Sequence, residues 1–320
     1  MTNAYSNIQM RDAFIAGLYE KAKLDKNIVF ISNEYGAPTL DRFREEFPNQ
    51  FINAGISEQN IISVAAGLAM EGKKVFIYSI ASFITLRCFE QIKLDICCHN
   101  LPVTILGVGA CYAYSEDGPS HHATEDISIM RTLVGMEIYA PSDSEIAYDF
   151  VDVALSSKVP MYIRFDKGRF PVLKNLSHKK TQSFREFFIE NNSSQTCIFS
   201  MGIMTQRALE VAKTLKQQGV YIKTIDLFKL KPLHKKEILK TLQGIANIIT
   251  IEEHTINGGL GSIIAELITD NYLSVRLKRI AVNDEDLYTY GNRDTLHLKL
   301  GLDRDSLVAI VVDFINNRKV

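Results

Sequence analysis

No run of apolar residues in the 320-residue chain approaches the ~18 that a membrane span requires. Residues 1–23, MTNAYSNIQMRDAFIAGLYEKAK, have no charged segment leading into an apolar one, so a secretory leader is not expected. Neither sign of charge is in excess: 36 Lys and Arg stand against 37 Asp and Glu, for a net charge of −1. A nucleic-acid binder would carry a basic excess or stripe. Neither nucleic acid nor a membrane is therefore an expected partner. There are five cysteines, Cys88, Cys97, Cys98, Cys111 and Cys197, with no CxxC pair among them. The odd count and the spacing argue against a disulfide framework or a zinc site and point to reduced intracellular thiols. Cys97 and Cys98 lie in an apolar run and are expected to be buried. No internal repeat or low-complexity segment is present. These absences point to a soluble, cytoplasmic globular protein.

The chain is long enough for two domains, and its 46% hydrophobic and 23% charged content is ordinary. Residues 8–24 have helical period, with Ile8, Phe14, Ile15, Leu18, Ala22 and Leu24 near one face. NIVFIS (27–32), FINAG (51–55), KKVFIYSI (73–80), LPVTILGVG (101–109), MEIYAPSD (136–143) and PMYIRFDKG (160–168) have strand character. Helical stretches separate several of them, among them FITLRCFEQIKLDICC (83–98) and SEIAYDFVDVALSS (144–157). Strands alternating with helices predict a doubly wound parallel sheet with helices on both faces. Residues 171–195 break the rhythm and read as a linker with one edge strand. The alternation then restarts and ends in an amphipathic helix with Asp303 or Asp305 near its start. The expected domains are residues 1–172 and a smaller α/β domain, residues 196–320, joined by a linker over 173–195.

Ligands of open α/β sheets sit beyond the carboxyl ends of the strands. Asn33, Glu34 and Tyr35 follow the first strand, Glu58 the second, and Phe83 the third. Tyr112, Tyr114, Asp117, His121 and His122 follow the fourth, and Asp166, Lys167 and Arg169 the last of the first domain. Functional residue types thus gather at one rim. The second domain is poorer, with Glu252, Glu253, His254 and a Gly258–Gly261 turn.

Glu58 opens the run EQNIISVAAGLAM. It is either a first-turn charge favoured by the helix dipole, with Ser57 as the cap, or a working acid. The loop SEDGPSHH (115–122) is either a plain Gly/Pro turn or a site. Adjacent histidines in an extended loop cannot easily face one ion, so no metal ligand is expected here. GGLG (258–261) before a helix resembles a phosphate-binding turn. It lacks the GxGxxG spacing and a following Lys, and such a turn otherwise just lets strand and helix pack closely.

GISEQN, SFITLRCFEQ, EDGPSHH, APSD and EEHTINGGLG occur here in one order. In that order and spacing they resemble the C-terminal half of transketolase and of 1-deoxyxylulose-phosphate synthase, over nearly the whole chain. The resemblance implies a pyrimidine-binding domain followed by a transketolase C-terminal domain, and thiamine diphosphate chemistry. It makes Glu58 the carboxyl that hydrogen-bonds N1′ of the aminopyrimidine and drives the tautomer that deprotonates the thiazolium. Phe83 and Phe89 fall where the family places aromatics around the pyrimidine, or are ordinary helix core. Leu86 stands at the position that usually stacks on the ring. Asp117 and His121 match residues that bind substrate hydroxyls and assist proton transfer, and His122 stands where glutamine is usual. Arg164 matches an arginine that clamps the sugar phosphate; its alternative is a surface salt bridge.

Two departures shape the expectation. The family's diphosphate and metal motif, GDG followed further on by Asn, does not occur in this sequence. The resemblance therefore implies the smaller subunit of a split enzyme. Its N-terminal partner would carry the diphosphate and Mg²⁺ site, with the cofactor shared at the interface of an α2β2 heterotetramer that also has β–β contacts. Gly109 and Ala110 stand where the family carries a phosphate-holding His or Arg, so Tyr112 and Tyr114 either contact an unphosphorylated or nucleotide-linked sugar or only pack. The expected activity is transfer of a two-carbon ketol unit between sugars. The alternatives are a 2-oxo acid dehydrogenase β subunit, a 1-deoxyxylulose-type synthase, and a non-catalytic partner that kept the fold.

Overall fold

The structure is a computed structural model that describes residues 8–33, 37–173, 178–180, 183–187, 194–284 and 289–317. The strands, in chain order, are β1 Ile28–Ser32, β2 Phe51–Asn53, β3 Lys74–Ile80, β4 Thr104–Val108, β5 Glu137–Tyr139, β6 Met161–Phe165, β7 His178–Lys180, β8 Phe184–Phe187, β9 Thr196–Ser200, β10 Lys223–Leu227, β11 Lys229–Lys231, β12 Asn247–Thr255 and β13 Arg276–Val282. The helices are α1 Met10–Ala22, α2 Pro38–Glu46, α3 Glu58–Met70, α4 Phe89–Gln91, α5 Asp126–Met130, α6 Ser144–Ser156, α7 Met204–Gln217, α8 Lys235–Thr241, α9 Leu260–Asp270, α10 Arg293–Leu300 and α11 Arg304–Asn316.

The strands form two sheets, ordered β11-β5-β6-β4-β3-β1-β2 and β13-β12-β9-β10-β8-β7. The first is parallel except where β11 pairs antiparallel with β5. β1, β4 and β6 are buried at every position, as expected of strands covered on both faces. The period of two sends their side chains to opposite sides. Ile28 and Phe30 join Phe14, Leu18 and Phe165 in one core, beneath α1 and α6. Val29 and Ile31 join Ile61, Ile62 and Ala65 of α3 in another. That second core runs on into Phe199, Ile225, Ile248 and Ile264, so the two halves of the chain share apolar packing.

The fold class read from the sequence holds: two α/β units with mostly parallel sheets. Several local expectations need correction. Residues 83–98 are not one regular helix but π-helical at Phe83–Arg87 and Ile92–Cys97, with α4 between. The segment read as a linker contributes β7 and β8, an antiparallel pair on the edge of the second sheet. β11 comes from the second half of the chain but completes the first sheet. Cys98 is exposed and Cys97 half-buried, so the expected burial of that pair is not met. Leu24 is 88% exposed, lying beyond α1, which ends at Ala22. Among the described residues no helix is long and apolar enough to cross a membrane.

Buried ion pairs tie the halves together. Arg185 of β8 reaches Asp143, at 2.8 Å, and Asp226 of β10, at 2.9 Å. Asp143, the last residue of the APSD stretch, also accepts the Ile146 amide at 3.0 Å and so caps α6. Arg293 of α10 lies 2.7 Å from Asp166 at the end of β6, and its guanidinium also bonds Glu253 of β12.

Candidate active site

Glu58 is the first residue of α3, reached from β2 through a turn with Gly55 at φ +64°, a conformation glycine adopts without strain. The buried Asn33 side chain fixes this turn by donating to Gly55 O at 2.9 Å. Ser57 stands at the cap position but does not cap: its hydroxyl donates to Ala54 O at 2.7 Å. Glu58 is 4% exposed. One carboxylate oxygen, Oε2, lies 3.3 Å from Arg87 Nη1. The other, Oε1, is buried without a hydrogen-bond partner among the described residues. A buried oxygen of this kind is costly unless something donates to it.

A string of contacts runs from Glu58 along the rim. The Arg87 guanidinium sits 4.0 Å above the Phe83 ring. Phe83 meets the His121 ring edge-on with centroids 5.0 Å apart, and Tyr114 lies 5.9 Å from His121 on its other side. Ser120 Oγ is 3.0 Å from His121 Nδ1. Glu58, Phe83 and His121 are thus brought together. Asp117 is exposed on the same loop. Leu86 is 47% exposed, whereas Phe89 is half-buried and packs against the core that holds α3. Glu34 and Tyr35, also expected at the rim, lie outside the described residues.

His122 faces away from His121. It is buried, edge-on to Tyr112 at 4.8 Å, and lines a cleft of about 460 Å³ with Thr255 and Asn257 of the second half. Burial pushes its pKa down, against the pull of the Ser115 backbone and the Glu253 and Asp117 charges.

Arg164 is buried, so it is neither the surface ion pair weighed for it nor an open clamp. Its Nε donates to Asp126 at 2.9 Å, and its Nη2 lies 3.0 Å from Cys111 Sγ and 3.5 Å from Ala123 O. Tyr162 donates to the same Asp126 oxygen at 2.7 Å. Cys111 and Ala123 are themselves paired by two backbone hydrogen bonds, at 3.0 and 3.1 Å. Arg164 therefore holds the neck of the loop that carries Asp117, His121 and His122.

The GGLG turn has its amides occupied from within: Leu260 N and Gly261 N donate to Glu252 at 2.6 and 2.7 Å. A Cβ on Gly259 would lie 2.2 Å from Glu252 Oε2. Close packing, not phosphate binding, accounts for this glycine. Burial pushes the Glu252 carboxyl up to about 7 even against those amides. Burial likewise pushes His254 down to about 4. Glu253 goes the other way: burial alone would raise it, but Arg293 and His297 outweigh that and bring it down to about 2.

Comparison with known proteins places this geometry. Residues 6–172 match the family described as transketolase, pyrimidine binding domain, and residues 187–307 match transketolase, C-terminal domain. The chain belongs to the transketolase family. It is similar to an apulose-4-phosphate transketolase subunit of Phocaeicola vulgatus, 32% identical over 98% of this chain and 99% of that one. It is also similar to 1-deoxy-D-xylulose-5-phosphate synthase 1 of Geobacter sulfurreducens, 32% identical over 93% of this chain but only 47% of the synthase. A solved structure described as split gene transketolase, inactive beta4 tetramer, superposes with a TM-score of 0.83, at 31% identity over 96% of this chain and 98% of that one.

Two features of this transketolase-family chain escaped the sequence. The first is at Gly109, one of the two residues where the resemblance expects a cation: its φ is +90°, and a Cβ there would lie 2.0 Å from the Tyr114 ring. Tyr114 fills that space, and Lys167 Nζ stands 4.2 Å over its ring. Arg87 is the second. Its position four residues after Phe83 in an aromatic-bearing helix was the available signal.

Proposed function

We propose that the chain is the C-terminal subunit of a split transketolase, transferring a two-carbon ketol unit between sugars together with an N-terminal subunit. The observation that carries this reading is the Glu58 carboxyl. It is buried at the head of α3, has one oxygen awaiting a donor, and stands beside Phe83 and His121 at the strand-end rim. That donor set fits the aminopyrimidine of thiamine diphosphate. When bound, the cofactor supplies the electron sink for breaking and making the carbon–carbon bond. Glu58 would hold the proton shared with the pyrimidine ring nitrogen, and Phe83 would offer the ring an apolar wall. Leu86 and Phe89 shape the pocket from farther along the same segment. His121, with Ser120 on its Nδ1, and Asp117 bind substrate hydroxyls, and His121 moves protons to and from them. Arg164 acts from behind, through the loop neck.

The partner subunit carries the diphosphate and Mg²⁺ site in an α2β2 heterotetramer located in the cytoplasm. The pyrimidine-binding unit spans residues 1–172 and the C-terminal unit residues 196–320. The test is to purify the chain with its partner and thiamine diphosphate and assay ketol transfer. Glu58→Gln should lower the rate by about 10²–10⁴, the usual weight of a proton-handling group, while the complex still assembles. Normal turnover by Glu58→Gln would remove the basis of the reading.

A further inference from the structure

Arg87 lies against the two groups, Glu58 and Phe83, that a pyrimidine ring would meet, taking Oε2 of the carboxylate and leaving Oε1 open. Its Nη1 is the donor facing Glu58 Oε2, at 3.3 Å. Its guanidinium carbon lies over the Phe83 ring, 4.0 Å from the ring centre. The side chain is 49% exposed, while Glu58 beneath it is 5% exposed, so the arginine covers the carboxylate from the solvent side. It ends the π-helical turn Phe83–Arg87; such turns recur at functional sites.

We propose that Arg87 is a displaceable place-holder for the aminopyrimidine. In the unloaded subunit it pairs with Glu58 and stacks on Phe83. On loading, the planar ring takes the place beside Glu58 and against Phe83, and Arg87 swings outward. This rests on the reading of Glu58 as the cofactor's carboxylate partner.

The chemistry suits a temporary occupant. A guanidinium is planar, weakly hydrated and stacks on aromatic faces. Its pairing here is single and long, not a bidentate fork. A half-exposed ion pair and a half-exposed cation–π contact are each individually weak. Both are strong enough to keep Glu58 from lying buried and unpaired, and weak enough to yield to a cofactor that is also anchored elsewhere. The arginine therefore lowers cofactor affinity: whatever stabilises the unloaded site must be given up on binding.

The experiment measures thiamine diphosphate binding, with Mg²⁺, to the assembled complex by titration calorimetry. Wild type is compared with Arg87→Met and Arg87→Lys. Arg87→Met removes both contacts and should bind thiamine diphosphate about three- to thirtyfold more tightly, the weight of one weak pair plus one ring contact. Its unloaded complex should also melt earlier than wild type. Arg87→Lys keeps the charge but loses the flat face, so its affinity should fall between the two; it also serves if Arg87→Met fails to assemble. Equal or weaker affinity in the variants, with wild type binding normally, would overturn this proposal alone. No thiamine diphosphate binding by wild type would overturn the functional reading and this proposal with it.

Discussion

Replacing Arg293 by methionine would leave two buried carboxylates facing an apolar stem. Asp166 is 5% exposed and Glu253 is 3% exposed. Arg293 Nε donates to Glu253 Oε1 at 2.7 Å, Nη2 closes the fork on Oε2, and Nη1 lies 2.7 Å from Asp166 Oδ1. That last contact is close, but off the line of a hydrogen bond. Removing one partner of a buried pair costs roughly 3–5 kcal/mol, because a charge is left uncompensated. His297, 2.5 Å from Glu253 Oε1, still faces one of the two, so the lower end is expected. Unfolding entropy near 2.1 cal/mol/K per residue, over 320 residues, gives about 0.7 kcal/mol per degree. The expected fall in melting temperature is then about 4–5 °C, read by scanning calorimetry at neutral pH. Adding Asp166→Asn to the variant removes one stranded charge and should recover part of the loss. Glu253 also sets a pH test. Its folded pKa, about 2, is depressed from its ordinary 4.5. Its contribution is therefore present above about 4.5 and lost as pH falls toward 2. Arg293→Met should flatten that acid-side loss. A shift under about 1 °C, or a double variant that melts lower still, would refute the account.

Gly259→Ala would place a Cβ 2.2 Å from Glu252 Oε2 and 2.6 Å from His254 Nδ1. It should lower stability by about 1–3 kcal/mol, as overpacking does; an unchanged urea midpoint would show that the turn has slack. His254, down at about 4 from an ordinary 6.5, is held neutral in the fold. Its contribution is present above about 6.5 and lost as pH falls toward 4, by up to about 3 kcal/mol. His254→Gln should flatten stability across that window. Glu252, up at about 7 from 4.5, has the opposite sign: its contribution is present below about 4.5 and lost as pH rises to 7. Glu252→Gln should remove that decline, and an unchanged pH profile in either variant would contradict its assignment.

The parallel-sheet fold was legible because its signals are local. IVFIS, TILGV and MYIRF are buried at every position and read as continuous apolar runs. The rim was legible because chain order alone places Glu58, Phe83 and His121 after strands. What failed to show depends on contacts between distant segments. β11 joins the sheet of the other unit through Lys229 and Lys231 beside β5, a pairing no local pattern specifies. Arg164 was expected as a phosphate clamp or a surface ion pair; only the fold brings Asp126 and Cys111 to it. The π turns at Phe83–Arg87 and Ile92–Cys97 carry no composition signal, since the apolar spacing of residues 83–98 also fits a regular helix.

The second half of the chain is more than a companion to the site. The loop bearing Asp117 and His121 is gripped at its neck by Arg164, and just beyond the neck it meets β12 and the turn that follows. Thr255 N donates to Thr124 O at 2.8 Å, Ser128 bonds Asn257 O, and Arg131 donates to Gly258 O at 2.9 Å. His122 lines the cleft at this seam while His121 meets the Phe83 ring, so one turn of chain serves both sides. Because a side chain that binds substrate must be held to within a fraction of an ångström, these bonds make the C-terminal unit a support for the rim. Glu58 reaches its place from β1 and β2 instead, through Asn33 and the Gly55 turn. The carboxylate is thus set from β1 and β2, and the histidine by the seam together with the Phe83 segment, where Ser82 Oγ donates to Ser120 O at 3.2 Å. Loosening the seam should move His121 while leaving Glu58, Arg87 and Phe83 in register.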